Sequence, residues 1–274
     1  IWKGLVGSEM CIRDRSIYYV FNLVFLLICY PIISAQLKDI RKNVPVLEPP
    51  TDFQGEEHVG SEKNKHIVFI GESTMVALGM PSHKKAFAGT LARNIAETTN
   101  TNISWKVYAK NGITAERVHS KLLKQINDEQ VDLFVVGLGG NDSFRFTPPW
   151  RWKKEMENII NYFKSNFPSS KIVIINMPPT REFPIFSKLM RFFVGNMTDI
   201  LRIKLKGIEG NNVLYLDDKI TFNQFLSIAN DTKLTIDDFF ETDRLHPSLY
   251  TYQLWAKSSA NDILEKGFIK KEGL

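Results

Sequence analysis

The chain has 274 residues, 43% of them hydrophobic and 24% charged, with a formal net charge of +5. This is a globular composition with length for one or two domains, and its basic residues are scattered, which argues against a nucleic-acid partner. Cys11 and Cys29 are its two cysteines, both near the N-terminus, so the rest of the chain holds neither a disulfide framework nor a thiolate metal site.

Residues 6–15 (VGSEMCIRDR) resemble the translation of a sequencing adapter, and residues 1–15 are excluded from the fold reading as a probable artefact of that origin. Residues 17–33 form an apolar run interrupted only by Asn22. The run is slightly short for a spanning helix and long for a signal-peptide core. Ser34-Ala35-Gln36 offers small residues for a cleavage site, whereas Leu26-Leu27-Ile28-Cys29 is a poor lipid-attachment signal. Residues 16–35 are therefore expected to be a signal peptide or a membrane anchor. Membrane association through 17–33 and an exported or membrane-anchored location follow as expectations. Residues 36–64 are polar, contain Pro45, Pro49, Pro50 and Gly55, and read as a linker or extended arm.

From Lys65 the pattern alternates. Runs of strand type appear at 66–70, 103–108, 131–138, 171–176 and 212–216. Helical patterns lie between them at 86–98, 115–126, 149–167 and 186–206, and a last one covers 249–266. Such alternation implies a parallel sheet with helices on both faces. Ligands bind beyond the carboxyl ends of the strands in sheets of this kind. Ser73, Gly112 and Asn141 each follow a predicted strand, so all three are expected on one rim.

Taken singly, Gly71-Glu72-Ser73 reads as easily as a turn feeding a helix cap, and Asn111-Gly112 as a plain turn. Gly139-Gly140-Asn141-Asp142 closes the most apolar strand and carries a side-chain amide able to donate to an oxyanion. Asp243-Arg244-Leu245-His246-Pro247 is the most informative stretch. A serine needs an imidazole to take its proton and a third group to orient that imidazole. Ser73, His246 and Asp243 supply these three roles if the fold brings them together. His58, His66, His83 and His119 lack metal-ligand spacing, and there is no Gly-x4-Gly-Lys phosphate loop. Asp237, Asp238, Glu241 and Asp243 lack the spacing of a calcium loop. No cofactor or metal is expected.

The order and spacing of Ser73, Gly112, Asn141, Asp243 and His246 resemble the SGNH (GDSL) hydrolase family, over about residues 65–270. Met177-Pro-Pro-Thr-Arg-Glu-Phe-Pro184 and the segment from His246 to Trp255 are similar to one bacterial branch of it. The resemblance implies a three-layer α/β/α, flavodoxin-like domain with a central parallel sheet of about five strands. It also implies a serine esterase or lipase with Ser73, His246 and Asp243 as triad and Ser73, Gly112 and Asn141 as oxyanion hole. The substrate would be a small-molecule, lipid or carbohydrate ester. A carbohydrate O-acetylesterase and a polysaccharide-binding module without turnover are the alternatives. Glu72 departs from the family's usual Asp before the serine, and a local packing change is expected there. Phe183 to Val194 is an apolar run with Lys188 and Arg191 interspersed, read as a buried amphipathic helix or as an acyl-binding flap.

Overall fold

The computed structural model describes residues 2–229 and 233–269, and the side chains of 2–16 and Arg41 lie outside the description. The expectation for residues 1–15 and the domain end at 270 fall on or beyond these limits.

A long first helix, α1 (Trp2–Asn43), runs through both the apolar segment and the first part of the expected linker. Among the described residues the further α-helices are α2 (Ser73–Val76), α3 (Phe87–Thr99), α4 (Ala115–Lys121), α5 (Gly140–Phe144), α6 (Pro149–Asn166), α7 (Lys188–Lys204), α8 (Phe222–Ala229) and α9 (Leu249–Glu265). The strands are β1 (Gln54–Glu57), β2 (Asn64–Gly71), β3 (Asn102–Ala109), β4 (Leu133–Gly137), β5 (Lys171–Ile174) and β6 (Val213–Tyr215).

They form one sheet in the order β1-β3-β2-β4-β5-β6. Four of its five strand pairs are parallel, and at the edge β1 runs antiparallel to β3. This sixth strand lies inside the expected linker, where Gln-Gly-Glu-Glu carries no apolar alternation to announce it.

The sheet side chains alternate between two cores. Ile67, Phe69, Leu133, Val135 and Val173 face α3 and α9, whereas Val68, Ile70, Phe134, Val136 and Ile172 face α4 and α6. Helix α6 shows how sequence sets this packing. Trp152, Met156, Ile159, Ile160 and Phe163 recur at helical spacing and are all buried. Phe163 stacks on Phe134 of β4 at 4.0 Å between ring centroids. Burying each such side chain contributes roughly 1.5–3 kcal/mol. Helix α7 reaches both cores, through Met190 and Phe193 to one and through Met197 and Leu201 to the other.

The connection after β2 leads to α3 on one face, and the connection after β4 leads to α6 on the other. The adjacent strands β2 and β4 therefore part company at their carboxyl ends. That divergence opens a crevice at the point where open α/β sheets bind their ligands.

Helix α1 lies against α7. Tyr19 donates its hydroxyl proton to the Phe146 carbonyl at 3.1 Å. The Asn22 amide donates to the Phe193 carbonyl at 3.3 Å and accepts from Asn196 at 3.2 Å. Ser187 donates to Gln36 at 2.7 Å. Asn22, the one polar interruption of the apolar run, is buried at this contact.

Candidate active site at the divergence of β2 and β4

Three loops meet in the crevice. The first follows β2 and carries Ser73 in the opening turn of α2. The Glu72 backbone N–H donates to the Gly137 carbonyl at 3.1 Å, which ties this loop to the end of β4. The second follows β4 and carries Asn141 in α5. The third lies between Phe240 and Pro247, which pair as an isolated antiparallel bridge. It holds Asp243 and His246.

Ser73, Asn141 and His246 line one cavity of about 240 Å³. Asp243 sits behind His246 and is buried. Its Oδ2 is 2.5 Å from His246 Nδ1, and its Oδ1 accepts the backbone N–H groups of Leu245 and His246, each at 2.9 Å. With Nδ1 held by the carboxylate, Nε2 is the ring nitrogen left to the cavity. Burial alone would raise the Asp243 carboxyl, but the His246 imidazole and the two backbone donors outweigh it and hold it below the usual range. The loop is closed by the Glu241 N–H donating to the His246 carbonyl at 2.8 Å. Arg244 takes a left-handed conformation at φ 55°, which turns the chain sharply between the acid and the imidazole.

The Asn141 side-chain nitrogen is buried and has no hydrogen-bond partner within the protein. An unpaired buried amide costs about 1–3 kcal/mol, and this one belongs to a residue that lines the cavity. The Ser73 N–H, in the first turn of a helix, likewise has no intrahelical acceptor.

Gly112 stands apart. It follows β3 at φ 71°, a conformation that favours glycine, and a Cβ there would meet open space. Its neighbour Asn111 lines the cavity, and Gly112 itself does not. The expected rim thus brings Ser73, Asn141 and His246 to one cavity, Asp243 directly behind them, and Gly112 to the adjoining turn.

The far wall is aromatic. Phe222 and Phe225 come from α8, and Phe239 and Phe240 from the turn before the Asp243 loop. Pro178 and Pro179 of the noted Pro-Pro loop, Phe144 and Phe183 continue it. Of the apolar run 183–194, only Phe183 lines the cavity. Residues 188–194 open α7, whose Met190, Phe193 and Val194 are buried. The sequence reading missed the α8 pair, although Phe222 and Phe225 share a helical face three residues apart. It also missed the partners of Glu72, whose two carboxylate oxygens accept the N–H groups of Gly140 at 2.7 Å and Asn141 at 2.8 Å. Asp142 makes a parallel tie: it is fully buried and accepts the Ala115 N–H at 3.0 Å and the Thr147 hydroxyl at 2.8 Å.

A three-layer α/β/α domain with a mostly parallel six-stranded sheet is the architecture of the SGNH hydrolases. The profile of the GDSL-like lipase/acylhydrolase family matches residues 69–254, and the chain belongs to that family, a group of ester hydrolases. Its fold is similar to that of an acetyl xylan esterase from Geobacillus stearothermophilus, with 15% identity, a TM-score of 0.53, and 73% of this chain and 94% of that chain covered. It is similar to a lipase from a goat rumen metagenome at 16% identity and a TM-score of 0.51, covering 72% of this chain and 97% of that one. A family two carbohydrate esterase from Clostridium thermocellum, solved with cellohexaose, aligns at 17% identity and a TM-score of 0.50, over 74% of this chain and 65% of that chain. At these identities the likeness is one of fold. No curated protein matches the chain at a significant level.

Proposed function

We propose that the protein is a serine esterase or lipase that cleaves carboxylic esters at the crevice between β2 and β4. One observation carries this reading: an unpartnered buried amide (Asn141) lines the same cavity as Ser73 and an imidazole already held by a buried carboxylate.

In the proposed reaction the His246 Nε2 takes the Ser73 hydroxyl proton as Ser73 Oγ attacks the ester carbonyl carbon. Asp243 holds the imidazole by its Nδ1–H and stabilises the cation that forms. The negative charge that gathers on the carbonyl oxygen is met by the Asn141 amide and the N–H groups of Ser73 and Gly112. Collapse of the intermediate expels the alcohol, which receives the proton from Nε2. Water, activated by the same imidazole, then releases the acid and restores Ser73.

The aromatic wall supports an acyl group longer than acetyl. Phe222, Phe225 and Phe240 are each buried at least nine-tenths yet border the cavity, and apolar wall of that kind is gained by an alkyl chain and wasted on a methyl group. The O-acetylesterase reading predicts the opposite preference. The N-terminal apolar helix is compatible with export or anchoring, and export would place the domain, residues 65–270, outside the cytoplasm.

A fluorophosphonate probe tests the reading at its root. Covalent labelling confined to Ser73 and lost in Ser73→Ala supports the esterase; a folded protein that stays unlabelled and inactive sinks it and favours a binding module. Turnover of p-nitrophenyl esters from acetate to octanoate then decides the acyl group.

A further inference from the structure

We propose that Glu72 is a positioning residue that holds the Asn141 amide in place by capping α5 from a neighbouring loop. The inference rests on the esterase reading for its kinetic consequence, though not for its structural one.

A helix start leaves its first N–H groups without intrahelical acceptors, and a polar side chain at the cap position ordinarily takes one of them. Helix α5 begins after Gly139, which has no side chain to offer. Its first two N–H groups, those of Gly140 and Asn141, are answered instead by the two carboxylate oxygens of Glu72 at 2.7 and 2.8 Å. Glu72 comes from the end of a different strand and stands next to Ser73. It is 3% exposed, so water does not compete for these bonds. One carboxylate therefore fixes the distance between the loop of the candidate nucleophile and the loop of the candidate oxyanion donor.

A second observation points the same way. A Cβ added to Gly140 would lie 2.8 Å from the nearer Glu72 oxygen and 3.5 Å from Pro178. The backbone at 140 is bare where the glutamate presses on it. The extra methylene of Glu over the family's usual Asp lets the carboxylate reach past the strand end to both N–H groups. Charge-assisted bonds to backbone N–H are stronger than neutral ones. Burial favours the neutral form of Glu72, the N–H groups of Asn141 and Gly140 and the nearby Asn141 side chain work against it, and the Asp142 carboxylate of α5 adds to the effect of burial. The side chain is thus kept in an electrostatically unfavourable spot by the contacts it makes there.

The catalytic residues remain those already proposed; Glu72 acts through Asn141. The test compares the full chain with Glu72→Gln and Glu72→Asp. Gln keeps one acceptor and turns an N–H toward a donor, so kcat on a p-nitrophenyl ester is expected to fall about tenfold or more, with KM within about twofold. Asp restores the charge at shorter reach and is expected to recover part of that loss. Amide hydrogen exchange at Gly140 and Asn141, read in the same proteins without substrate, is expected to speed up about tenfold in Glu72→Gln while the amides of β4 stay protected. An unchanged kcat with unchanged exchange at both amides overturns the proposal. If the wild-type chain neither turns over esters nor labels at Ser73, the esterase reading fails, and the exchange measurement still decides the cap. Should Glu72→Gln not fold, Glu72→Asp carries both measurements.

Discussion

Two apolar regions of this molecule contrast. The cavity between β2 and β4 is concave, walled by phenylalanines and broken by Ser73, Asn141 and His246. Helix α1 carries Tyr18, Phe21, Leu27, Ile28 and Tyr30 in the open around its circumference, Tyr18 and Phe21 beside the groove it makes with α7, with no polar atom among those side chains but the two tyrosine hydroxyls. Residue type alone does not separate them. What separates them is the treatment of polar groups. At the cavity a buried amide nitrogen has no hydrogen-bond partner, whereas on α1 the polar residues Asn22 and Gln36 are bonded to the domain. Apolar surface that isolates a donor suits chemistry; apolar surface that merely meets the outside suits lipid or a partner.

The sharpest way to break this contrast is to remove the proposed nucleophile. Ser73→Ala is expected to lower ester turnover by about 10⁴-fold or more with an unchanged thermal midpoint, measured by hydrolysis and calorimetry. Asn141→Ala should cost about 10²–10³ in kcat, as loss of an oxyanion donor does, and full turnover in that variant would remove the amide from the mechanism. Phe225→Ala removes part of the aromatic wall and should cut kcat/KM for octanoate about tenfold while sparing acetate. On the α1 side, Asn22→Ala deletes a buried bonded amide and should cost about 1 kcal/mol in urea unfolding, with ester turnover unaffected.

The pH dependence of stability also divides between two carboxylates. Asp243 is held below its ordinary value, so its contribution is present at neutral pH and is lost as the pH falls through the acid range. Glu72 is raised from 4.5 to about 7, chiefly by burial, so the folded state binds its proton where the unfolded chain has released it. Its contribution is therefore complete below about 4.5 and declines as the pH rises to about 7. Urea unfolding between these limits should show that decline in the wild type, and Glu72→Gln should flatten it.

The parallel sheet was legible because β2, β4 and β5 are short runs of buried β-branched and aromatic residues between amphipathic helices. The edge strand β1 was not, since Gln-Gly-Glu-Glu becomes a strand only by pairing with β3. Asp243 and His246 could be matched from sequence because one loop holds both. The partners of Glu72 could not, because adjacency to Ser73 says nothing about which N–H groups its carboxylate meets across the sheet. The phenylalanines of α8 escaped for the same reason: their role depends on a wall assembled from distant segments.

The Phe240–Pro247 bridge has one more consequence. It makes residues 241–246 a closed clip whose acid, imidazole and internal bonds travel together. A shift of the whole clip alters how far it stands from Ser73 and carries the imidazole and its carboxylate along together. The pair is in effect a prefabricated component, and in the proposed reaction the fit left to be met on assembly is the gap between it and Ser73.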